Sequence, residues 1–83
     1  MRITLKYFAS IREAMGSSGQ IYETQATTLG QLRDELVHAG DPAAQALSRD
    51  RVLRMAQNQT LCDESTPLKP DAEVAFFPPV TGG

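Results

Sequence analysis

The chain has 83 residues, 41% of them hydrophobic, and its eight Lys and Arg against ten Asp and Glu leave a net charge of −2. That length sustains one small core burying roughly 60–65% of the unfolded surface, so one domain over residues 1–83 is expected. The charge balance excludes the basic field that attracts nucleic acid or anionic lipid, and no apolar run approaches the roughly 20 residues of a membrane span.

Residues 2–8 alternate in polarity. Ile3, Leu5 and Tyr7 fall on one side and Thr4, Lys6 and Phe8 on the other, which predicts a first strand with one core face. Phe8 is thus an aromatic on the face that otherwise reads as solvated. Ser10-Ile11-Arg12-Glu13 fits a capping box and predicts a short helix capped by Ser10 and closed at Gly16. Ser17-Ser18-Gly19 reads as a loop, and residues 21–26 alternate again as a second strand. Thr28 and Gln31 form a second capping pair. Leu29, Leu32, Leu36 and Val37 then supply one apolar stripe of a long helix closed by Gly40. Asp41-Pro42 predicts a short helix with Asp41 as N-cap and Pro42 at the first helical position, given a weak apolar side by Ala43, Ala44 and Leu47.

Residues 52–57 predict a third strand and residues 60–62 a short return strand. Asn58-Gln59 between them lacks the glycine that favours a two-residue hairpin. Residues 63–71 hold two prolines and read as a loop with one helical turn near Pro67 and Leu68. Residues 73–77 predict the last strand, with Val74 and Phe76 on one face and Ala75 and Phe77 on the other. The sum is an α+β roll, a mixed sheet of about five strands packed on one main helix.

Side-chain chemistry is sparse. His38, the one histidine, reads as a cation near a helix C-terminus, where the dipole favours it. Cys62, the one cysteine, lies in an apolar strand with nothing nearby in sequence to lower its pKa. One Cys and one His fall short of a zinc site, so no metal is expected. The absence of an intrachain disulfide fits a reducing compartment, and residues 1–6 alternate rather than forming a signal-peptide core. A cytoplasmic protein is expected. Glu13, Glu23, Glu35, Asp63, Glu64, Asp71 and Glu73 are spread over several elements and read as solvated surface. Arg49-Asp50-Arg51 and Arg54 read as a mixed charged patch.

The C-terminal stretch Phe76-Phe77-Pro78-Pro79-Val80-Thr81-Gly82-Gly83 stands apart. Gly82 and Gly83 carry no Cβ, so their backbone fits a channel closed to any other residue. Pro78-Pro79 favours an extended polyproline path, and a protruding tail over residues 78–83 reaches up to roughly 20 Å. A terminal carboxyl, with a pKa of about 3.5, is ionised at neutral pH and is a poor electrophile. It needs activation, as an acyl-phosphate or acyl-adenylate, before a thiol, amine or sulfide attacks it. The Gly83 carboxyl is the expected reactive group. Phe8 and Phe77 both oppose the core set of their strands. If the first and last strands are neighbours, the rings form an apolar patch at the root of the tail, the mark of a protein–protein surface, unless a helix or loop of the same chain covers them.

The run from Asp71 to Gly83 closely resembles the end of the MoaD-type sulfur carriers, the small subunits of molybdopterin synthase. Tyr7-Phe8-Ala9-Ser10-Ile11-Arg12-Glu13 is similar to that family's opening, and Asn58-Gln59 to its mid-chain turn, whereas residues 17–50 are generic. The resemblance implies a ubiquitin-like β-grasp fold without a bound cofactor. It implies that an adenylating activating enzyme uses ATP on Gly83, and that a sulfur donor protein supplies the sulfur of a C-terminal thiocarboxylate. That sulfur would pass to precursor Z (cyclic pyranopterin monophosphate), forming the molybdopterin dithiolene. The family works as a heterotetramer, two small subunits flanking a dimer of large subunits that supply the catalytic side chains. On matching positions, Pro78, Pro79, Val80, Thr81 and Gly82 would insert into the large subunit. Phe8, Leu61 and Phe77 would be apolar interface residues and Arg12 a polar one. Lys6 and Tyr7 stand where family members vary, so nothing carries over to them.

Two alternatives share the same chain end. One is a related carrier serving thiamin or tRNA thiolation, against which the Phe-Phe-Pro-Pro-Val-Thr lead and the length both speak. The other is a ubiquitin-like modifier joined through Gly83 to lysines of other proteins.

Overall fold

The computed structural model describes residues 1–79. Its elements run β1 (Arg2–Tyr7), α1 (Ala9–Met15), β2 (Gly19–Glu23), α2 (Leu29–His38), α3 (Ala43–Ala46), β3 (Arg54–Gln57), β4 (Thr60–Cys62) and β5 (Glu73–Phe77). The strands form one mixed sheet in the order β2-β1-β5-β3-β4. The first and last strands pair in parallel at its centre, and the other pairs are antiparallel.

Alternation decides which face is covered. Ile3, Leu5 and Tyr7 of β1, Val74 and Phe76 of β5 and Met55 of β3 point to the helix side and are buried there. Leu29, Leu32 and Leu36 of α2 meet them as the spacing predicts, joined by Leu47 after α3. Tyr7 and Phe76 stack with ring centroids 6.2 Å apart. Each such fully buried large side chain contributes about 1.5–3 kcal/mol relative to an exposed one. Thr28 caps α2 as expected, its hydroxyl accepting from the Gln31 N–H at 3.1 Å.

Several boundaries differ from expectation. Ser10 is not a cap, since α1 starts at Ala9 with Phe8 as N-cap and no side-chain capping bond. The Phe8 N–H still donates to Phe76 O, continuing the β1–β5 pairing, while Phe8 O already accepts from the Ile11 N–H. The chain passes from strand to helix so abruptly that Ala9 takes a φ of 53°. Pro42 rather than Asp41 is the N-cap of α3, and the Asp41 carboxylate accepts from Gln45 instead. The second strand begins at Gly19, where a Cβ would lie 2.2 Å from Leu5 O. It ends at Glu23, although Thr24 still exchanges backbone bonds with Met1, while the Thr24 side chain turns to Glu35 and to the Ala26 N–H.

The third strand begins only at Arg54, and Val52 before it is exposed. The Asn58-Gln59 turn forms without glycine at φ values of 50° and 69°, pinned to β5 by two bonds between Asn58 and the Glu73 backbone. No helical turn forms near Pro67 and Leu68. Pro67 bridges to Thr28, the Leu68 N–H donates to Thr27 O, and buried Gln57 binds the loop at Pro67 O and the Lys69 N–H.

Candidate functional site

The face of the sheet away from the helices carries the sequence-predicted docking residues. One cross-strand row runs Leu61–Ala56–Ala75–Lys6–Gly19 over β4, β3, β5, β1 and β2. Ala56 and Ala75 make a low floor between the longer side chains of Leu61 and Lys6. In the next row Arg54 lies opposite Phe77, and Phe8 follows directly after β1. The parallel pairing of β1 and β5 therefore brings Phe8 and Phe77 to the same end of the same face, where the tail leaves. Phe8 is 48% exposed and Leu61 60%, while Phe77 is half-buried. No helix among the described residues covers Phe8.

Arg12 projects from the last turn of α1 and is exposed. It lines a cleft of about 370 Å³ together with Lys6, Phe8, Gln20 and Ile21. Phe8 and Arg12 thus share one cleft, and Leu61 stands on the same face with β5 and β3 between its strand and β1. Pro78 and Pro79 are half-buried, and Pro78 lines a small crevice with Ser10, Ile11 and Leu53. Val80, Thr81, Gly82 and Gly83 lie outside the described residues.

A model of the ThiS family matches residues 5–83. The molybdopterin synthase sulfur carrier subunits of Haemophilus influenzae and Escherichia coli are 38% and 40% identical over 81 residues, spanning 98% of this chain and 99% of each relative. The chain belongs to the ThiS family. Among solved structures, SAMP1 from Haloferax volcanii matches with a TM-score of 0.76 at 27% identity over the whole of both chains. A chain of the protein–protein complex of subunits 1 and 2 of molybdopterin-converting factor from Helicobacter pylori matches with a TM-score of 0.66 at 27% identity, again over the whole of both. The ubiquitin-like β-grasp expectation holds, as does the resemblance to sulfur-carrier subunits.

Several other polar groups of this ThiS-family chain serve its own fold. Arg33, 4% exposed, donates to the carbonyls of Leu47, Ser48 and Arg51 and to Glu64 Oε2 at 2.9 Å. Arg49 donates to Asp34, Glu64 and Gly30 O, so that two arginines clamp the loops around the start of α2. Arg49's hydrogen bond holds the Asp34 carboxyl below the usual range. A Cβ on Gly30 would lie 3.0 Å from Glu64 Cβ, which explains a glycine inside α2. Glu35 accepts from Tyr22 at 2.8 Å, Thr24 at 2.7 Å and the Gln25 N–H at 3.1 Å. Burial, followed by its bond to Glu35, pushes the Tyr22 hydroxyl up to about 12.

His38 closes α2, its Nδ1–H donating to Asp34 O at 2.8 Å. Cys62 is half-buried, its thiol donating to Thr60 O. Among the described residues no group of three or more His, Cys, Asp or Glu is placed to hold a metal ion. No helix among them is long and apolar enough to cross a membrane. Sequence reasoning did not single out Ile21, 70% exposed on the same open face. Its period-2 opposition to inward-facing Tyr22 was the available signal. The role of Arg33 had no local signal, since its partners lie 14 to 31 residues away.

Proposed function

We propose that this chain is the sulfur-carrying small subunit of a molybdopterin synthase. The observation that carries the proposal is the 38–40% identity, over almost the full length, to two molybdopterin synthase sulfur carrier subunits. An apolar open face at the root of a diglycine tail supports it. In this reading the Gly83 carboxylate attacks ATP on an activating enzyme, pyrophosphate leaves, and the acyl-adenylate carries the electrophilic carbon that an ionised carboxylate lacks. A sulfur nucleophile delivered by a donor protein displaces AMP and leaves a thiocarboxylate. Its soft, ionised sulfur attacks precursor Z inside the large subunit and displaces an oxygen substituent, and hydrolysis of the resulting acyl–sulfur bond returns the Gly83 carboxylate and leaves the sulfur on the product. Phe8, Leu61 and Phe77 dock, with Arg12 as their polar neighbour. Residues 78–83 reach in, and the large subunit supplies the catalytic side chains in a heterotetramer. The chain itself supplies the donor atom and no catalytic side chain, and holds no cofactor. Docking keeps the acyl intermediate from water.

The test is an intact mass after incubation with activating enzyme, ATP and a sulfur donor. The expected gain equals replacement of one oxygen by sulfur, and an unchanged mass would sink the proposal. Deleting Gly83 should abolish that gain while leaving thermal unfolding and large-subunit binding nearly unchanged. A second reading has its own observation, the full-length match to SAMP1, a small archaeal modifier protein. In that case the same acyl-adenylate meets a lysine amine, and the product is an isopeptide-linked conjugate. Conjugates formed without any thiocarboxylate would favour that reading.

A further inference from the structure

The chain is acidic overall, yet its open face is cationic where the tail departs. Lys6 and Arg54 stand on that face and Arg12 stands beside it, all exposed, and none of the three makes a salt bridge among the described residues. Two carboxylates of the same face, Glu23 and Glu73, lie toward its other end, while Asp63 follows Cys62 beside Arg54 in the β3–β4 register without a salt bridge to it. Glu23 is in the row of Arg2 and pairs with it at 3.5 Å, and Glu73 is in the row of Thr4. Asp63, the first carboxylate after β4, is turned into its own loop, where its Oδ1 accepts from Ser65 and Thr66. The contrast with Arg33 and Arg49, both fixed to carboxylates on the helix side, is direct.

Three like charges around an apolar patch repel one another and keep the patch from other copies of the same face. Their placement fits an anionic counterpart. Lys6 and Arg12 both line the cleft of about 370 Å³ beside Phe8 and Ile21, so one carboxylate entering it meets two cations over an apolar wall. Arg54, opposite Phe77, meets a second at the root of the tail.

We infer that this face docks a protein surface whose apolar centre is bordered by carboxylates, and that Lys6 and Arg54 determine the specificity of that docking. The inference rests on the proposed role as a small subunit and commits to the large subunit as occupant. Phe8, Leu61, Phe77 and Ile21 supply the contact area, while the cations supply orientation and rate. Charges at the rim of an interface act chiefly on the association rate and on its salt dependence. They would set the docked register before residues 78–83 enter the partner.

The experiment is stopped-flow association of the full chain with the molybdopterin synthase large subunit of the same organism. Between low salt and roughly 0.5 M salt the rate should fall on the order of tenfold. Lys6→Glu with Arg54→Glu should lower the low-salt rate on the order of tenfold and flatten its salt dependence, with Lys6→Gln and Arg54→Gln intermediate. Lys69→Glu, a reversal in the loop bound to Thr27 ahead of α2, should change the rate less than about twofold. Circular dichroism melts establish that each variant is folded. A double variant matching wild type or Lys69→Glu overturns the inference and leaves the sulfur-carrier role standing. No complex at either salt overturns both. Dimerisation of the chain through this face in sedimentation overturns the choice of occupant.

Discussion

On the helix side of the sheet, Arg33 is buried and spends its guanidinium on three carbonyls and Glu64. On the open side, Arg54 stands exposed opposite Phe77 with no carboxylate partner among the described residues. The aromatics divide in the same way. Phe76 lies in the core, whereas Phe8, whose N–H donates to Phe76 O, is about half exposed. One side of the sheet satisfies its groups within the chain. The other leaves apolar area and charge unspent, which a partner can use. Stability and docking should therefore separate by face, and substitutions on each side test that separation.

The largest effect is expected at Arg33. Arg33→Ala strands the Leu47, Ser48 and Arg51 carbonyls and removes a partner from Glu64. Glu64 is 39% exposed and keeps Arg49, so the cost falls on the stranded carbonyls, each left without its buried donor. A loss of about 3 kcal/mol is expected in urea unfolding. Large-subunit affinity of the folded variant should change by less than about twofold, since distant sites act independently. A folded variant that no longer docks would show that the two faces are coupled.

Phe77→Asp places a charge at the root of the tail. It should weaken the large-subunit complex by about 2 kcal/mol, roughly 30-fold in Kd by calorimetry, the magnitude of an interface anchor. Its stability cost should stay near 1 kcal/mol because the ring is half-buried. Unchanged affinity would remove the apolar patch from the docking surface.

The division between faces was legible in the sequence wherever period 2 operates. Ile3, Leu5 and Tyr7 separate from Thr4, Lys6 and Phe8, and Val74 and Phe76 from Ala75 and Phe77, without any knowledge of neighbours. Pairing was not legible in that way: that β1 lies beside β5, and so brings Phe8 to Phe77, is a fact of topology. Thr28 was found because its partner is three residues away. Ser10 misled because Phe8 had already been claimed by the β1–β5 ladder. Gln57, Arg33 and Glu35 read as ordinary polar positions because their partners come from other elements. The proposed reactive end, Gly83, and the part of the proposed insertion segment from Val80 onward rest on sequence, beyond the described residues.

The smallest expected effect lies at Glu35, on the satisfied face. Burial pushes its carboxyl up, but bonds from Thr24, Tyr22 and the Gln25 N–H outweigh this and hold it below its ordinary value of 4.5. A folded-state value below the unfolded one means that the unfolded chain binds the proton more readily. The stabilisation is then complete above the unfolded value and is lost as pH falls through the depressed folded one. Glu35→Gln should therefore cost about 1 kcal/mol at neutral pH. The gap between wild type and variant in urea unfolding should close as the pH is lowered below 4.5. A gap independent of pH would assign the loss to amide geometry rather than to the carboxylate charge. Large-subunit binding at neutral pH should not change, because Glu35 sits on α2 with the sheet between it and the docking face.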